Sequence, residues 1–204
     1  MQHDDKEVQV NSAFNIIVAG YGGQGVLTLA EILAYAVVAE GYEVRQAELH
    51  GLAQRGGSLA THVRLGKSVY SPLVSKGGAD LIIALEFGEA ARVALEYGSN
   101  QTFLLANSKF FSPAQGRNKS SVDLIQAEES LTEQLKGMEV VDADKKVRAL
   151  TGDIFSVNIY MLARALGMSL LPLKRESVWQ VIENKLRGKY LDLNRKVFEV
   201  AVQD

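Results

Sequence analysis

Ile16-Ile17-Val18-Ala19-Gly20-Tyr21-Gly22-Gly23-Gln24-Gly25-Val26-Leu27 is an apolar run that breaks into closely spaced glycines and resumes as a helix-compatible pattern. The spacing predicts a first strand ending near Ala19, a tight turn at Gly20, close approach of backbone to ligand at Gly22 and Gly23, and packing of the next helix on the strand at Gly25. Amides that open such a helix lack an intrahelical acceptor and together carry about half a positive charge, so the turn suits a phosphate-like anion. Gly20-x-Gly22-x-x-Gly25 fits the dinucleotide fingerprint, which by itself has low specificity, and a ligand-free packing turn stands as the plain alternative. The P-loop form is excluded, because no Lys-Ser or Lys-Thr pair directly follows the glycines.

Outward from this turn, Val26 to Glu40 places Leu29, Leu33 and Val37 at helical spacing, and Gly41 supplies a stop. Tyr42 to Leu49 and Leu59 to Leu65 read as the second and third strands. Ala79 to Leu85 and Thr102 to Ala106 are continuous apolar runs of the kind covered by helices on both faces, with a helix over Glu86 to Tyr97 between them. Glu139 to Val141 adds a short strand, preceded by a helix near Ala127 to Leu135. Phe155 to Leu166, Arg175 to Leu186 and Tyr190 to Val202 are helical, and Trp179, Ile182, Leu186, Leu193, Val197 and Val200 make up their expected core stripe. The pattern predicts an α/β fold: three layers, a mostly parallel Rossmann-like sheet with helices on both faces, and a helical C-terminal extension. We expect one domain over 1–204, with a flexible tail at 1–12 and the extension at 154–204.

The 204 residues carry a net charge of -2 and no cysteine. The first fact leaves no electrostatic footprint for nucleic acid. The second excludes thiolate zinc sites, nucleophilic cysteines and cysteine-ligated iron–sulfur clusters from this polypeptide. Met1 to Asn11 is polar, and no run approaches the roughly 18 apolar residues of a membrane span. A cytoplasmic protein without a membrane partner is expected.

Glu48-Leu49-His50-Gly51-Leu52-Ala53-Gln54-Arg55-Gly56-Gly57-Ser58 lies between the second and third strands, at the ligand-facing edge of a parallel sheet. Arg55 can grip a phosphate or carboxylate bidentately, Gly56 and Gly57 let amides approach the same anion, and Ser58 can add a hydroxyl donor. A helix-capping or ion-paired Arg55 on an ordinary glycine turn is the neutral alternative. His50 has no nucleophile placed beside it by the sequence, so a hydrogen-bonding role is expected; His62 in a strand and His3 in the tail give no metal-ligand spacing. Glu48 ends its strand where a dinucleotide fold places an acid for a ribose hydroxyl, but it lies 28 positions after Gly20 rather than about 20.

Together these loops make the chain resemble the gamma subunits, or gamma domains, of the 2-oxoacid:ferredoxin oxidoreductases. The resemblance rests on Gly20-Tyr21-Gly22-Gly23-Gln24-Gly25, on Glu48, and on Arg55-Gly56-Gly57-Ser58; the form His50-Gly51-Leu52-Ala53-Gln54-Arg55-Gly56-Gly57 is most similar to small subunits of the indolepyruvate type. Asp142-Ala143, Asn158, Leu171-Pro172-Leu173 and Asn194 extend it along nearly the whole chain. The resemblance implies a complex that decarboxylates a 2-oxoacid (indolepyruvate, or pyruvate or 2-oxoglutarate) on thiamine diphosphate. It further implies electron transfer through iron–sulfur clusters to ferredoxin and acyl transfer to coenzyme A. Thiamine and clusters belong to partner subunits. This chain is expected to contribute no catalytic residue and no metal site, to be inactive alone, and to supply subunit packing and an anion or coenzyme A surface. The candidate binding residues are Gly20, Gly22, Gly23, Gln24, Gly25, Glu48, His50, Gln54, Arg55, Gly56, Gly57 and Ser58. A homodimer of the isolated chain stays open, as do two other functions: a stand-alone NAD(P)-binding Rossmann enzyme and a scaffold that binds only protein.

Overall fold

The computed structural model describes residues 13–50, 57–111 and 129–204. The tail expected at 1–12 and the segment Gly51 to Gly56 lie outside these residues. In chain order the elements are β1 (Phe14–Tyr21), α1 (Val26–Ala39), β2 (Glu43–His50), β3 (Ser58–Gly66), β4 (Leu81–Ala84), α2 (Phe87–Tyr97) and β5 (Phe103–Asn107). They continue with α3 (129–134), β6 (Gly137–Val141), α4 (Ala143–Thr151), α5 (Val157–Gly167), α6 (Arg175–Lys185) and α7 (Lys189–Gln203). Among the described residues no helix is long and apolar enough to cross a membrane.

The six strands form one sheet in the order β2-β3-β1-β4-β5-β6. β1, β4, β5 and β6 run parallel, as the apolar runs predict, whereas β3 is antiparallel to both β2 and β1. The connection over 51–57 is too short for a parallel crossover, which needs a dozen or more residues. β3 therefore returns as a hairpin partner of β2 and inserts between β2 and β1.

Alternation along the strands builds two cores. Ile16, Val18, Leu81, Ile83 and Leu105 face α1 and the C-terminal helices, while Ile17, Ala19, Ile82, Ala84, Leu104 and Ala106 face α2 and Leu131 of α3. The first core joins the sheet to the helical extension, since Val178, Ile182, Val197, Phe198 and Ala201 belong to the same cluster as Ile16. The expected stripe needs one correction. α7 buries Asn194, Val197, Phe198 and Ala201, which leaves Val200 40% exposed on the neighbouring face of the helix. β2 is a largely exposed edge strand that carries Glu43, Arg45, Glu48 and His50, a charge pattern that discourages edge-to-edge pairing.

α5 and α7 approach closely where α5 ends: a Cβ at Gly167 would sit 2.3 Å from the Val202 carbonyl oxygen. That oxygen is backbone and cannot swing aside. Gly167→Ala is expected to lower the unfolding free energy by about 1–3 kcal/mol, measured by urea titration, through separation of these helices.

His62 is 1% exposed in β3, accepts the Val74 amide at Nδ1 (3.1 Å) and packs edge-on against Tyr97. Accepting at Nδ1 fixes a neutral ring with its proton on Nε2, and that atom has no partner among the described residues. Burial pushes the His62 pKa down, with nearby Glu96 opposing. The unfolded chain then binds more protons than the folded one below about pH 6.5, so this residue's contribution to stability is full above that pH and is lost as pH falls. The urea midpoint is expected to decline from pH 7.5 to 5.5 less steeply in His62→Asn, which keeps an acceptor, than in the unsubstituted chain.

Candidate functional site

The glycine turn joins the carboxyl end of β1 to α1 and is held by one side chain. Gln24 Oε1 accepts the Tyr21 amide at 2.7 Å, and its Nε2 donates to the Leu85 carbonyl at 3.3 Å, which ties the turn to the end of β4. Asn107 Nδ2 donates to the same carbonyl at 3.2 Å, so β5 is drawn into the assembly. A Cβ at Gly20 would lie 2.7 Å from Gln24 Oε1 and would evict it. Gly25, at φ 87°, opens α1 in the left-handed region, and a Cβ there would lie 2.5 Å from Asn158 Nδ2. Asn158 in turn donates to the Gly25 carbonyl at 3.4 Å, an angularly allowed but long bond. Gly22 and Gly23 are exposed.

The two glycine segments meet. Tyr21 pairs with Ser58 in the β1–β3 register, and the Gly22 amide donates to the Gly57 carbonyl at 3.1 Å. The other candidates divide. Gln54, Arg55 and Gly56 lie outside the described residues. Ser58 directs its hydroxyl to Glu89 Oε2 at 2.6 Å, a carboxylate that also receives the Arg92 guanidinium at Nε (3.0 Å) and Nη2 (2.7 Å). Glu48 and His50 face each other across 3.9 Å on exposed β2. Glu48 registers with Thr61 of β3, so a whole strand separates it from β1. This placement counts against a ribose-binding acid, which in a dinucleotide fold ends the strand adjacent to β1.

Helix ends decide where an anion can be received. α2 begins at Glu86, whose buried carboxylate accepts the Glu89 amide at Oε2 (2.7 Å) and the Phe111 amide at Oε1 (2.8 Å). α4 is capped by Asp142 through the Lys145 amide at 2.9 Å. α1 has Gly25 at its cap and no side-chain cap, and its first intrahelical bond runs from Leu29 to Gly25, so the amides of Val26, Leu27 and Thr28 point out of the helix without an intrahelical acceptor. Beside Gly22, Tyr21 stacks edge-on against Phe111, and burial together with Glu86 and Glu89 pushes its phenol pKa up, so it stays neutral.

On the α5 side of the turn a cleft of about 400 Å³ opens between Gly23–Gly25, the start of α5 and the start of α7. Lys109 enters it held by Asp144 at 2.7 Å, and Asn107 orients that carboxylate with a 2.8 Å bond. Spacing did not reveal Glu86, Asn107, Lys109 and Asp144. Their only sequence signal is a polar residue at or just beyond the end of an apolar strand, in Leu85-Glu86 and Ala106-Asn107.

A mixed, mostly parallel sheet with a donor-rich glycine turn at the carboxyl ends of its parallel strands defines an α/β protein of the Rossmann-like class. The profile described as pyruvate ferredoxin/flavodoxin oxidoreductase matches residues 15–203, and the chain belongs to that family. It is 31% identical over 192 residues to the indolepyruvate oxidoreductase subunit IorB of Thermococcus kodakarensis, covering 93% of this chain and 95% of that one. The gamma subunit of a keto/oxoacid ferredoxin oxidoreductase from Geobacter sulfurreducens has the same fold: TM-score 0.69, 18% identity, 93% and 96% of the two chains covered. A 2-oxoglutarate:ferredoxin oxidoreductase from Magnetococcus marinus, with 2-oxoglutarate, coenzyme A and succinyl-CoA bound, matches at TM-score 0.71 and 15% identity. The match covers 94% of this chain and 30% of that one. The chain is thus of the small-subunit type of 2-oxoacid:ferredoxin oxidoreductases, and the stand-alone nicotinamide enzyme is not favoured.

Because Gln24 satisfies a strand-end amide and bridges to β4, Gln24→Ala should cost about 1–3 kcal/mol in urea unfolding. Gln24→Glu should be no better, since a carboxylate cannot donate to the Leu85 carbonyl.

Proposed function

We propose that this chain is the small subunit of an indolepyruvate-type 2-oxoacid:ferredoxin oxidoreductase of the cytoplasm. It packs against a subunit that carries thiamine diphosphate and iron–sulfur clusters, and it offers the rim between its two glycine loops to the phosphates of coenzyme A. The observation that carries this reading is the Gly22-to-Gly57 bond, which joins the glycine turn to the residue before β3; Arg55-Gly56 directly precede that residue in the sequence. The resemblance to the Thermococcus subunit along almost its full length supports the substrate type.

The donor chemistry divides the labour. With no cysteine the chain offers no thiolate to an iron–sulfur cluster. Among the described residues no group of three or more His, Asp or Glu side chains could hold a metal ion. The redox and decarboxylation chemistry therefore falls to the partner, with ferredoxin as its acceptor. This chain's own contribution is to receive an anion at the α1 amides exposed by the glycines and, with Arg55, to hold it in one orientation.

The test is co-expression with the thiamine- and cluster-bearing subunit, followed by dye reduction with indolepyruvate, with and without coenzyme A. Activity is expected only from the assembled pair and only with coenzyme A, and Arg55→Ala should weaken coenzyme A by about 1.5–3 kcal/mol in the apparent KM. Full activity of this chain alone, or an Arg55→Ala enzyme with unchanged coenzyme A dependence, would overturn the proposal. A preference for pyruvate or 2-oxoglutarate would overturn only the indolepyruvate assignment.

A further inference from the structure

The solvent side of α1 is an apolar ridge, and we infer that the thiamine- and cluster-bearing subunit docks on it. The inference rests on the assembly proposed above and adds the surface through which that assembly forms.

Leu27, Thr28, Glu31, Tyr35, Val38 and Ala39 are exposed along α1, at the three- and four-residue steps that bring side chains onto a common face. Leu27 is 43%, Tyr35 54% and Val38 58% exposed. The one charge among these six is Glu31, and Lys185 of α6 neutralises it at 2.8 Å while lying 5.3 Å over the Tyr35 ring. Other helices face solvent with charges: Arg92 and Glu96 on α2, Lys145 and Arg148 on α4, Arg195 and Glu199 on α7. A helix apolar on every side belongs in an interior. An exposed apolar strip with an aromatic ring at its centre and no net charge has the composition of an interface core.

Size and position choose the occupant. A second copy packed ridge to ridge would cover little beyond the helix itself, whose 14 residues give a strip about 21 Å long and about 10 Å wide, roughly 200 Å². A stable interface covers roughly 800 Å² on each partner. The ridge is continuous with the rim of the glycine turn, since Leu27 follows Gly25 by two positions and Gly22 and Gly23 are exposed ahead of it. Acyl transfer breaks the bond from the acyl carbon to thiamine as it forms the bond to the coenzyme A sulfur, so the subunit that holds thiamine has to lie within one coenzyme A length of that rim. The contact that brings it there runs onto α1, and ridge and rim together reach the size that the ridge alone lacks.

The test uses the full chain co-expressed with that subunit, with the dissociation constant of the pair measured by sedimentation and Tyr35 followed by hydroxyl-radical labelling. Val38→Lys is expected to weaken the pair at least tenfold. The thermal midpoint of the chain alone should hold, because the position is exposed and a cation suits a helix carboxyl end. Val200→Lys, on the exposed side of α7, should leave the dissociation constant unchanged. Tyr35 should lose its labelling in the pair, whereas Tyr70, 94% exposed on the loop after β3, should keep it. A pair equally tight with Val38→Lys, or equal Tyr35 labelling in the pair and in the chain alone, would overturn the docking site and leave the subunit assignment standing. A self-dimer of the chain that Val38→Lys dissolves would overturn it as well, assigning the ridge to a second copy. Failure of the unsubstituted chain to pair at all would sink the subunit assignment and this inference together.

Discussion

The Gln24 carboxamide is the joint on which the rest of the site depends. A strand-to-helix turn rich in glycine is floppy by composition, because each glycine gives up more backbone freedom on ordering than any other residue. One side chain counters this at two points, taking the Tyr21 amide and giving a proton to the Leu85 carbonyl. The glycines then matter less for their flexibility than for the space they leave. Gly20 vacates the volume that Gln24 fills, and Gly25 vacates the volume against Asn158. The amides that open α1 are thus held in a fixed direction by Gln24 and Asn158, an arrangement that lowers the cost of ordering upon binding.

Helix starts divide into two kinds: α2 and α4 carry a carboxylate cap, whereas α1, α5, α6 and α7 carry no side-chain cap bond. Where α2 and α4 begin, the chain supplies its own carboxylates, Glu86 and Asp142. Where α1 begins it supplies none. A glycine cap forgoes only about a few tenths of a kcal/mol against a capping side chain, so the open start of α1 costs little stability. On the α2 side Ser58, Glu89 and Arg92 satisfy one another.

The fold class was legible because its signals are local. Glycine sterics marked the β1–α1 junction to within a couple of residues, and unbroken apolar runs marked β4 and β5 as strands buried on both faces. The antiparallel insertion of β3 was not read, because alternation along Leu59 to Leu65 specifies which face is buried and says nothing of the neighbour; the short connection after His50 was the available clue. Gln24 was recognised as special, but its role lay in partners at positions 21 and 85. The Lys109–Asp144–Asn107 cluster spans three elements, and no spacing rule reaches across such separations. Arg55 and its neighbours rest on the sequence alone.

The core shared by the sheet and the last helix has a consequence for biogenesis. Ile16 and Ala201 belong to a single cluster, so the larger hydrophobic interior cannot close until the last turn of α7 has been synthesised and has left the ribosome. At ordinary translation speeds of about 5–20 residues per second, the first strand waits on the order of ten seconds or more with one face uncovered. Closure of this core therefore waits for the synthesis of α7, and the nascent chain is a natural client for holding factors during that interval.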